Sequence, residues 1–552
     1  MPCKVERHGV ARRRALVWGA ILLVAFLAPA GPKLLEGDEL VPLDTAAYMR
    51  AAREVQRRGG PVAMLVGCIT GTYREANRMP LYIGLLSLLP GGTLRSLLYA
   101  KVLTLGIASI GLLVAYACAW RTWGPIAAVA AGAAIAVNSH YLLYGTVVAS
   151  ETLLSLWLTV TWVLLVRYQR GRGDFAPVGA SVALAYLSKG SGIFVAPLSL
   201  VVAGVKERWR AFASRGVWVA VGIFVLATCP LLARNVRLYG APFYNENTHV
   251  MWQDAWEEKY SPDPELNRPT LATYCARHTA GDALARLGRG IWQQGVYSVV
   301  VMGQTTLFHE ILGWKVWPLG LLALGLGLVP LVRRPDRSAA LIGWGMFAGF
   351  NLFFAWYPVK DARFVAPLVP VMMILSGRGA HLAFRAASRA WLPLRGVRPW
   401  RGVAAVTALM LVANSALAPR LAPVREALTP PPGYFDLLCW LSGHTTRKTV
   451  VMMGPSHEYD YFWTDAVGGH QVPVPWVHSM DDLQRAIREQ EVDYLVVDYS
   501  TLRQRAGAFQ GWMTAVGEAV RVKEVPAGWR PVFFAGDGPG AIVFDVARCA
   551  HQ

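Results

Sequence analysis

The sequence predicts an α-helical polytopic membrane protein with about eleven transmembrane helices and a carboxyl-terminal extracytoplasmic α/β domain. Long apolar runs alternate with short polar breaks over residues 1–428, and the breaks differ systematically in charge. From residue 434 onward, short strand-like runs alternate with helical ones. Only 16% of the 552 residues are charged, whereas a soluble globular protein carries about 25%.

Eleven apolar runs are the candidate spans. About 20 apolar residues are needed to cross the hydrocarbon core of a bilayer, and the shorter runs leave the count at about eleven. The predicted spans are 15–31, 94–119, 125–137, 147–166, 175–187, 191–205, 216–233, 316–332, 338–356, 364–376 and 402–418.

The charge of the breaks orients these spans. With a cytoplasmic amino terminus, the cytoplasmic breaks contain 22 Lys and Arg residues, and the short breaks on the other side contain only Lys189, Lys360 and Arg363. This imbalance follows the positive-inside rule. We therefore predict a multi-pass protein of the cell inner (plasma) membrane. Because the number of spans is odd, the carboxyl-terminal domain is expected outside the cytoplasm.

The net charge of +19 has two interpretations. A basic protein can bind nucleic acid, but most of the excess Arg lies in the cytoplasmic breaks, where anionic lipid headgroups account for it. We therefore expect the lipid bilayer as a partner and no nucleic acid. Residues 12–30 also resemble a secretory signal peptide. We interpret them as a retained first span, since ten more spans follow.

Two domains are expected. Residues 1–428 form the transmembrane domain, with large outward loops at 32–93 and 234–315. In the first loop, the composition of 44–58 favours an interfacial helix. The apolar run 80–90 is too short to cross a bilayer, which favours a re-entrant or surface-lying helix.

A proline-rich linker, 429–433, leads to the second domain, 434–552. Alternating strands and helices predict a parallel sheet packed between helices. The predicted strands are 449–453, 471–477, 494–498, 531–535 and 541–545, and the predicted helices are 481–490 and 501–518.

Ionisable residues near the outer ends of the spans are the candidates for chemistry. A charge at membrane depth costs about 3 kcal/mol or more, so it persists where it is paired or lines a cavity. Simpler interpretations are a solvated loop charge, a helix cap at Glu151 or an interfacial anchor at Lys189. The candidates are Asp38, Glu39, Asp44, Arg78, Glu151, Lys189, Arg234, His309, Glu310, Lys360, Asp361 and Arg363.

Five short segments lie in order along the predicted outer face. They are Asp44-Thr-Ala-Ala-Tyr48, Arg78-Met-Pro-Leu-Tyr82, Ser150-Glu151, Arg234-Asn-Val-Arg-Leu-Tyr-Gly240 and Arg363-Phe-Val-Ala-Pro-Leu-Val-Pro370. As a set they resemble the GT-C superfamily of polytopic glycosyltransferases, which use lipid-linked sugars and include protein O-mannosyltransferases and lipid A aminoarabinose transferases. This chain departs from many members in having a lone Asp44 where they carry paired acidic residues.

The resemblance implies an enzyme that moves a sugar from a polyprenyl-phosphate donor to an acceptor on the extracytoplasmic face. The acceptor hydroxyl must lose its proton, so a carboxylate general base is required, and Asp44 is the expected base. The leaving lipid phosphate gains negative charge, which fixed cations stabilise. Arg363, Lys360 and Arg78 are expected to supply them.

Further residues are expected to bind the substrate. Glu151 would hold the sugar or orient a cation. Tyr48 and Tyr82 would stack on the sugar or seat the loop in the membrane interface. Lys189 and Arg234 complete the expected substrate-binding set.

A metal requirement stays open on the sequence. A divalent cation, Mg²⁺ or Mn²⁺, bound by Asp38, Glu39 or Asp44 is one way to assist at the phosphate. The seven cysteines have no zinc-site spacing in the sequence.

Two other classes of function are compatible with the same charges. One is a transporter or flippase of lipid-linked sugars, which usually has broken helices in two related halves; the sequence shows no such repeat. The other is a non-catalytic envelope-assembly protein whose carboxyl-terminal domain binds a partner. The acceptor of the predicted enzyme is a glycan, a lipid or a protein.

Overall fold

The computed structural model of the chain is mostly helical up to residue 390 and contains a small sheet domain after residue 434. The predicted span 402–418 and the linker lie outside the residues that it describes. Those residues are 3–35, 45–90, 94–255, 258, 263–303, 317–390, 434–446, 448–453, 470–475, 477, 479–498, 501–502, 506–516, 519–535 and 540–547.

The helices of the membrane part are α1 (Cys3–Leu35), α2 (Thr45–Arg57), α3 (Gly60–Thr70), α4 (Pro80–Leu86), α5 (Leu94–Trp123), α6 (Pro125–Ala136), α7 (Ser139–Thr146), α8 (Glu151–Gln169), α9 (Ala176–Ser188), α10 (Val195–Glu207), α11 (Arg215–Tyr239), α12 (Asn247–Val250), α13 (Pro264–Asn267), α14 (Leu271–Arg277), α15 (Ala280–Gly303), α16 (Trp317–Val332), α17 (Arg334–Trp356) and α18 (Val369–Ala390). Short 3₁₀ helices cover Gly190–Phe194, Arg208–Ala213, Ala362–Phe364 and Ala366–Leu368.

The predicted polytopic helical fold is confirmed. Among the described residues, six helical segments are long and apolar enough to cross a membrane. They lie in α1, α5, α11 and α17 and in the two stretches that join 3₁₀ turns to α10 and α18. Three more predicted spans form shorter apolar helices (α6, α9 and α16), and the predicted span 147–166 overlaps α8. The total number of spans stays a prediction.

The first predicted outward loop folds back as three helices. α2 and α3 are joined through Gly59 and Gly60, whose φ angles of 107° and 83° are accessible to glycine at little cost. The sequence did not predict α3, which is apolar and packs against α11. The short run 80–90 forms α4, as expected of a segment that does not cross the membrane.

Small residues let the membrane helices approach closely. A Cβ atom at Gly179 of α9 would lie 2.0 Å from the carbonyl oxygen of Ala220 in α11. A Cβ atom at Gly379 of α18 would lie 1.8 Å from the carbonyl oxygen of Leu326 in α16. Glycine is therefore required at both contacts, as is typical of packed transmembrane helices.

The carboxyl-terminal domain is a mixed sheet, so the prediction of a parallel sheet is wrong in part. The strand order is β2-β1-β3-β7-β6. Strand β1 pairs in parallel with β2 and β3, whereas β7 is antiparallel to both β3 and β6. The elements of the domain are α19 (Tyr434–His444), β1 (Val450–Met453), β2 (His470–Pro473), α20 (Met480–Glu489), β3 (Tyr494–Asp498), α21 (Ala506–Phe509), β4 (Met513–Val516), β5 (Ala519–Val522), β6 (Arg530–Ala535) and β7 (Ala541–Asp545).

The predicted helix 501–518 is also wrong. Its described part is helical at residues 501–502 and in the short α21, and it then becomes strand β4, which forms a hairpin with β5. Trp512 sits where the chain turns into this hairpin and packs edge-on against Phe544 of β7. Burial of Trp512 and Met513 against the sheet therefore prevails over the helical composition of the segment.

One apolar cluster joins the sheet domain to the loop helices. It contains Tyr82 and Ile83 of α4 together with Leu441 of α19 and Val543 of β7. The domain therefore lies on the same face of the molecule as α2 and α4. We call this the site face; it is the face at which α8 begins, and α8 ends at the opposite face.

Candidate active site

A buried ion pair marks the start of α8 on the site face. Nζ of Lys189 lies 2.5 Å from Oε1 of Glu151, whose side chain is only 5% exposed. Glu151 is the first residue of α8, and Lys189 ends α9 with an extended backbone before the 3₁₀ helix Gly190–Phe194. A carboxylate at this depth persists because a cation accompanies it.

The beginning of α2 is fastened beside this pair. The hydroxyl of Thr45 donates to the carbonyl oxygen of Val148 (3.1 Å), and the hydroxyls of Tyr48 and Ser150 are 2.8 Å apart. These two hydrogen bonds therefore hold the first turn of α2 next to Ser150, the residue that precedes Glu151.

Tyr48 also contacts two other predicted site residues, Tyr82 and Arg78. Its ring packs edge-on against the ring of Tyr82 at 5.2 Å. The guanidinium carbon of Arg78 lies 5.6 Å from the centre of the Tyr48 ring. Tyr82 is fully buried, and its hydroxyl lies 2.6 Å from that of Thr104. Tyr82 therefore seats α4 against α5.

Arg234 fixes the backbone that carries Arg78. Its Nε and Nη2 donate to Oδ1 of Asn235 (3.0 and 2.6 Å), and its Nη1 donates to the carbonyl oxygen of Glu75. The side chain is almost fully buried. The described contacts of Arg234 thus position segment 72–79; its predicted role in substrate binding stays a prediction.

Three asparagines and a glutamate complete this attachment. Nδ2 of Asn245 donates to the carbonyl oxygen of Asn77 (3.0 Å), and Nδ2 of Asn247 donates to Oδ1 of Asn77 (2.6 Å). Oε1 of Glu75 accepts from the backbone amides of Asn77 and Arg78. The segment is therefore held on both sides, by α11 and by the chain that follows it.

Tyr73 lies in the same segment as a neutral phenol. Burial raises the pKa of its hydroxyl above the ordinary value, and the carboxylate of Glu75 and the thiol of Cys68 raise it further, against the lowering effect of Arg234 and Arg78. Tyr73 therefore brings no negative charge to the site.

A second group of charges lies where α17 gives way to α18. Oδ1 of Asp361 accepts from the backbone amide of Arg363 (2.9 Å), and Oδ2 lies 3.4 Å from Nε of that arginine. Nζ of Lys360 donates to the carbonyl oxygens of Ala355 (3.0 Å) and Tyr357. Both Arg363 and Asp361 remain partly exposed, so this group is open to a ligand.

The surroundings of Lys360 destabilise the charged form of its ammonium group. Burial and, as the smaller effect, the nearby Arg286 guanidinium together lower its pKa to about 8. Near neutral pH it is still charged, and an anion that replaced the lost solvation would stabilise that charge.

Aromatic packing joins the two charged groups. Phe194, in the 3₁₀ helix after the lysine of the ion pair, lies 4.0 Å from Phe353 of α17. The adjacent Phe354 stacks at 4.0 Å on Phe364, which follows the partly exposed Arg363. Both groups therefore belong to the site face.

The structure brings Arg78, Tyr48, Tyr82, Glu151 and Lys189 together through the contacts above. Other predicted residues lie outside the described part of the chain, and their roles stay predictions. They are Asp38, Glu39, Asp44, His309 and Glu310.

Sequence analysis missed a charged cluster beside Lys360. Arg286 of α15 donates to the carbonyl oxygens of Trp356 and Met251 (both 3.1 Å), and its Nη1 lies 3.4 Å from Oδ1 of Asp254. Nε2 of His278 lies 3.1 Å from Oδ2 of the same aspartate. These residues are spread over a long polar segment with no recognisable spacing, so no sequence signal identified them.

Metal ligands are not gathered in the part of the chain that the structure describes: it contains no group of three or more His, Cys, Asp or Glu side chains suited to hold an ion. The three acidic residues predicted as ligands precede Thr45 and lie outside that part. A divalent cation stays a prediction.

Known proteins share parts of this sequence and most of this fold. Residues 79–233 match the sequence model of a family described as dolichyl-phosphate-mannose-protein mannosyltransferase. ArnT from Cupriavidus metallidurans bound to undecaprenyl phosphate is 15% identical; the match covers 98% of this chain and 99% of that one, with a TM-score of 0.58. In the apo state the same protein gives 0.54. The chain has the GT-C fold.

A second protein with this fold also matches. The archaeal oligosaccharyltransferase AglB from Archaeoglobus fulgidus, in complex with an inhibitory peptide and a dolichol-phosphate, is 12% identical; the match covers 92% of this chain and 74% of that one, with a TM-score of 0.51. No curated protein sequence matches the chain. The resemblance to GT-C membrane glycosyltransferases predicted from five short segments is confirmed.

Proposed function

We propose that this protein is an integral membrane glycosyltransferase that moves a sugar from a polyprenyl-phosphate donor to an acceptor glycan, lipid or protein on the extracytoplasmic face. The observation that carries the proposal is the buried Glu151–Lys189 pair at the start of α8, with α2, Tyr48 and Arg78 packed beside it. A GT-C fold that gathers charges at one face is suited to bind a polar headgroup that carries a phosphate.

The donor class is supported by what related folds contain. ArnT was solved with undecaprenyl phosphate and AglB with a dolichol-phosphate, and both ligands are phosphates on an isoprenoid chain. The family matched by residues 79–233 is described by a donor of the same class, dolichyl-phosphate mannose. We infer a polyprenyl-phosphate sugar for this chain.

Transfer breaks the bond between the anomeric carbon and a phosphate oxygen and forms a bond from that carbon to the acceptor oxygen. The phosphate gains negative charge as it leaves, so preorganised cations lower the barrier. Lys360 and Arg363 offer charges on the segment between α17 and α18, and an arginine can donate to two phosphate oxygens at once. Arg78 offers a third from the loop before α4.

The proton of the acceptor hydroxyl passes to a carboxylate, and we propose Asp44. Glu151 is the weaker candidate, because its Oε1 is already bonded to the ammonium of Lys189. The next residue after Asp44, Thr45, is hydrogen bonded to Val148, three residues before Glu151. A base at position 44 and a sugar held by the ion pair are compatible with this contact.

Detergent-solubilised protein incubated with undecaprenyl-phosphate sugars tests the proposal. We expect release of free undecaprenyl phosphate, slow without acceptor and faster with it. Asp44→Asn should abolish transfer while the donor lipid still binds, and Asp481→Asn, an exposed acid in the sheet domain, is the matched control. Transfer by Asp44→Asn at the wild-type rate would remove Asp44 as the base, and no release from any sugar lipid would overturn the proposed function.

A further inference from the structure

Buried hydroxyl groups in the membrane helices of this protein usually bond to their own helix. A serine or threonine in a helix can donate to the carbonyl oxygen four residues earlier, which satisfies the hydroxyl where water is absent. Thr104, Thr159, Thr161, Ser199 and Thr228 all do so, at 2.7 to 2.8 Å.

Three hydroxyls that lie within four residues of Glu151 or Lys189 in the sequence do not follow this rule. Among the residues that the structure describes, Oγ1 of Thr152, Oγ of Ser155 and Oγ of Ser191 are buried without a hydrogen-bond partner. Thr152 and Ser155 are each only 1% exposed. A buried hydroxyl left unpaired is costly, so three that lie within four residues of one ion pair call for a ligand that pairs them.

Their positions relative to the ion pair are fixed by the helices. Ser155 lies one turn after Glu151, on the same face of α8, and Thr152 lies between them in the first turn. Ser191 follows two residues after Lys189 in the 3₁₀ helix. The hydroxyls therefore come from both sides of the ion pair, which joins the two elements at 2.5 Å.

We infer that Thr152, Ser155 and Ser191 recognise hydroxyl groups of the transferred sugar, with Glu151 and Lys189 as the charged centre of the same subsite. This inference rests on the proposed function and adds to it the residues that select the sugar. A sugar hydroxyl both donates and accepts, as these side chains do, so each contact can form with either partner as donor. A subsite built in this way discriminates against a sugar that lacks the matching hydroxyl, because the protein group is then left unpaired.

Because these hydroxyls are unpaired, we expect their removal not to lower the thermal stability of the free protein. Removing one of them deletes no described hydrogen bond, so Ser155→Ala and Thr152→Val should leave the melting temperature unchanged or raise it. Thr159→Val is the matched control on the same helix, because the Thr159 hydroxyl donates to the carbonyl oxygen of Ser155. That variant should lower the melting temperature and leave transfer within about twofold of wild type.

The test measures kcat/KM for release of undecaprenyl phosphate from five lipid-linked sugars: mannose, glucose, galactose, N-acetylglucosamine and 4-amino-4-deoxyarabinose. With the sugar that wild type uses, Ser155→Ala, Thr152→Val and Ser191→Ala should each lose about 10- to 100-fold. A set of deoxy analogues of that sugar then locates the contacts. One analogue should be poor for wild type yet as good as the parent sugar for Ser155→Ala.

The outcomes separate the inference from the proposed function. If wild type is active and the three variants keep its kcat/KM, the hydroxyls do not select the sugar and the inference fails while the proposed function stands. If the variants lose activity only in proportion to a lowered melting temperature, the hydroxyls are structural and the inference also fails. If wild type releases undecaprenyl phosphate from none of the five lipids, the proposed function falls and the inference with it.

Discussion

A buried carboxylate paired with a cation lies beside each end of α8: Glu151 begins the helix, and Asp336 of α17 lies near Arg170 at its other end. The two pairs differ in how completely they are bonded. At the opposite face, Asp336 accepts from Nε and Nη2 of Arg378 (3.0 and 2.9 Å) and from the indole of Trp123 (2.7 Å), so both of its oxygens are used. At the site face, Glu151 accepts one hydrogen bond from the described residues, that of Lys189. The two pairs are separated by the length of α8, about 28 Å at 1.5 Å per residue.

The difference separates a structural pair from a functional one. Two guanidinium nitrogens on Oδ2 and an indole on Oδ1 engage both oxygens of Asp336, and these bonds hold α17 and α18 to α5. The single contact between Lys189 and Glu151 leaves hydrogen-bonding capacity on both partners, and unpaired hydroxyls lie within four residues of them in the sequence. A charge at membrane depth therefore does not by itself indicate a functional site. A charged pair with unused hydrogen-bonding capacity is the better indicator.

The largest expected effect is on stability, at the opposite face. Asp336→Ala leaves the Arg378 guanidinium buried without its carboxylate, and breaking a buried pair in this way costs about 3 to 5 kcal/mol. The fraction of folded protein in detergent should fall sharply, as measured by thermal unfolding. Specific activity per folded molecule should stay near wild type, and a normal melting temperature would show that the pair is not structural.

Next in size is the loss of activity from the site-face pair. Lys189→Met should reduce sugar release by about 100-fold, because the carboxylate beside it then loses its cation and the subsite its charge. Activity must be normalised to folded protein, because Lys189→Met leaves the Glu151 carboxylate, which is only 5% exposed, without its cation. Lys206→Met, on the opposite face, is the control. Equal activity in both lysine variants would remove the distinction between the two ends.

The pH dependence of donor binding gives a smaller effect. Because the pKa of Lys360 is about 8, its charged fraction falls as pH rises through 8. Affinity for undecaprenyl phosphate should therefore drop about fivefold between pH 8 and 9. In the same window the unfolded state holds more protons than the folded one, so stability should rise with pH while binding falls.

Lys360→Arg provides the control for this pH effect. An arginine stays charged over the whole range, so the drop in affinity above pH 8 should disappear. Binding that weakens equally in wild type and Lys360→Arg would place the titrating group elsewhere.

The smallest expected effect concerns Arg234. The Arg234 guanidinium donates hydrogen bonds both to Asn235 and to the carbonyl oxygen of Glu75, and a lysine cannot make both. Arg234→Lys should therefore loosen segment 72–79. Donor binding should weaken about twofold, about 0.5 kcal/mol, through misplacement of Arg78. Limited proteolysis within 72–79 measures the loosening. Weakened binding with an unchanged proteolysis pattern would instead favour direct contact of Arg234 with substrate.

The membrane helices were predictable because each is an apolar run that ends at polar or charged residues. Long apolar runs and the asymmetric Arg distribution locate α1, α5, α11 and α17 without reference to packing. The apolar α3 escaped prediction because it is too short to signal a span and is formed by packing on α11. The hairpin of β4 and β5 escaped because its segment has helical composition and is decided by burial against the sheet.

Site residues were predictable where a charged side chain lies beside an apolar run, because a charge at membrane depth is energetically costly. Glu151 and Lys189 stood out because each is a charge beside an apolar run, and they proved to be partners. Their partnership was not predictable, since 38 positions separate them. The hydroxyls of Thr152, Ser155 and Ser191 gave no signal, because a serine or threonine in a helix normally satisfies itself and only the structure shows that these do not.

The most direct test of the account compares free undecaprenyl phosphate released by wild type and by Glu151→Gln, normalised to folded protein. Glutamine keeps the shape and a contact to Lys189 but removes the charge. The account predicts a loss of about 100-fold or more with little change in melting temperature. Wild-type release by this variant would show that the carboxylate at the start of α8 belongs to the scaffold, like Asp336, and would contradict the account.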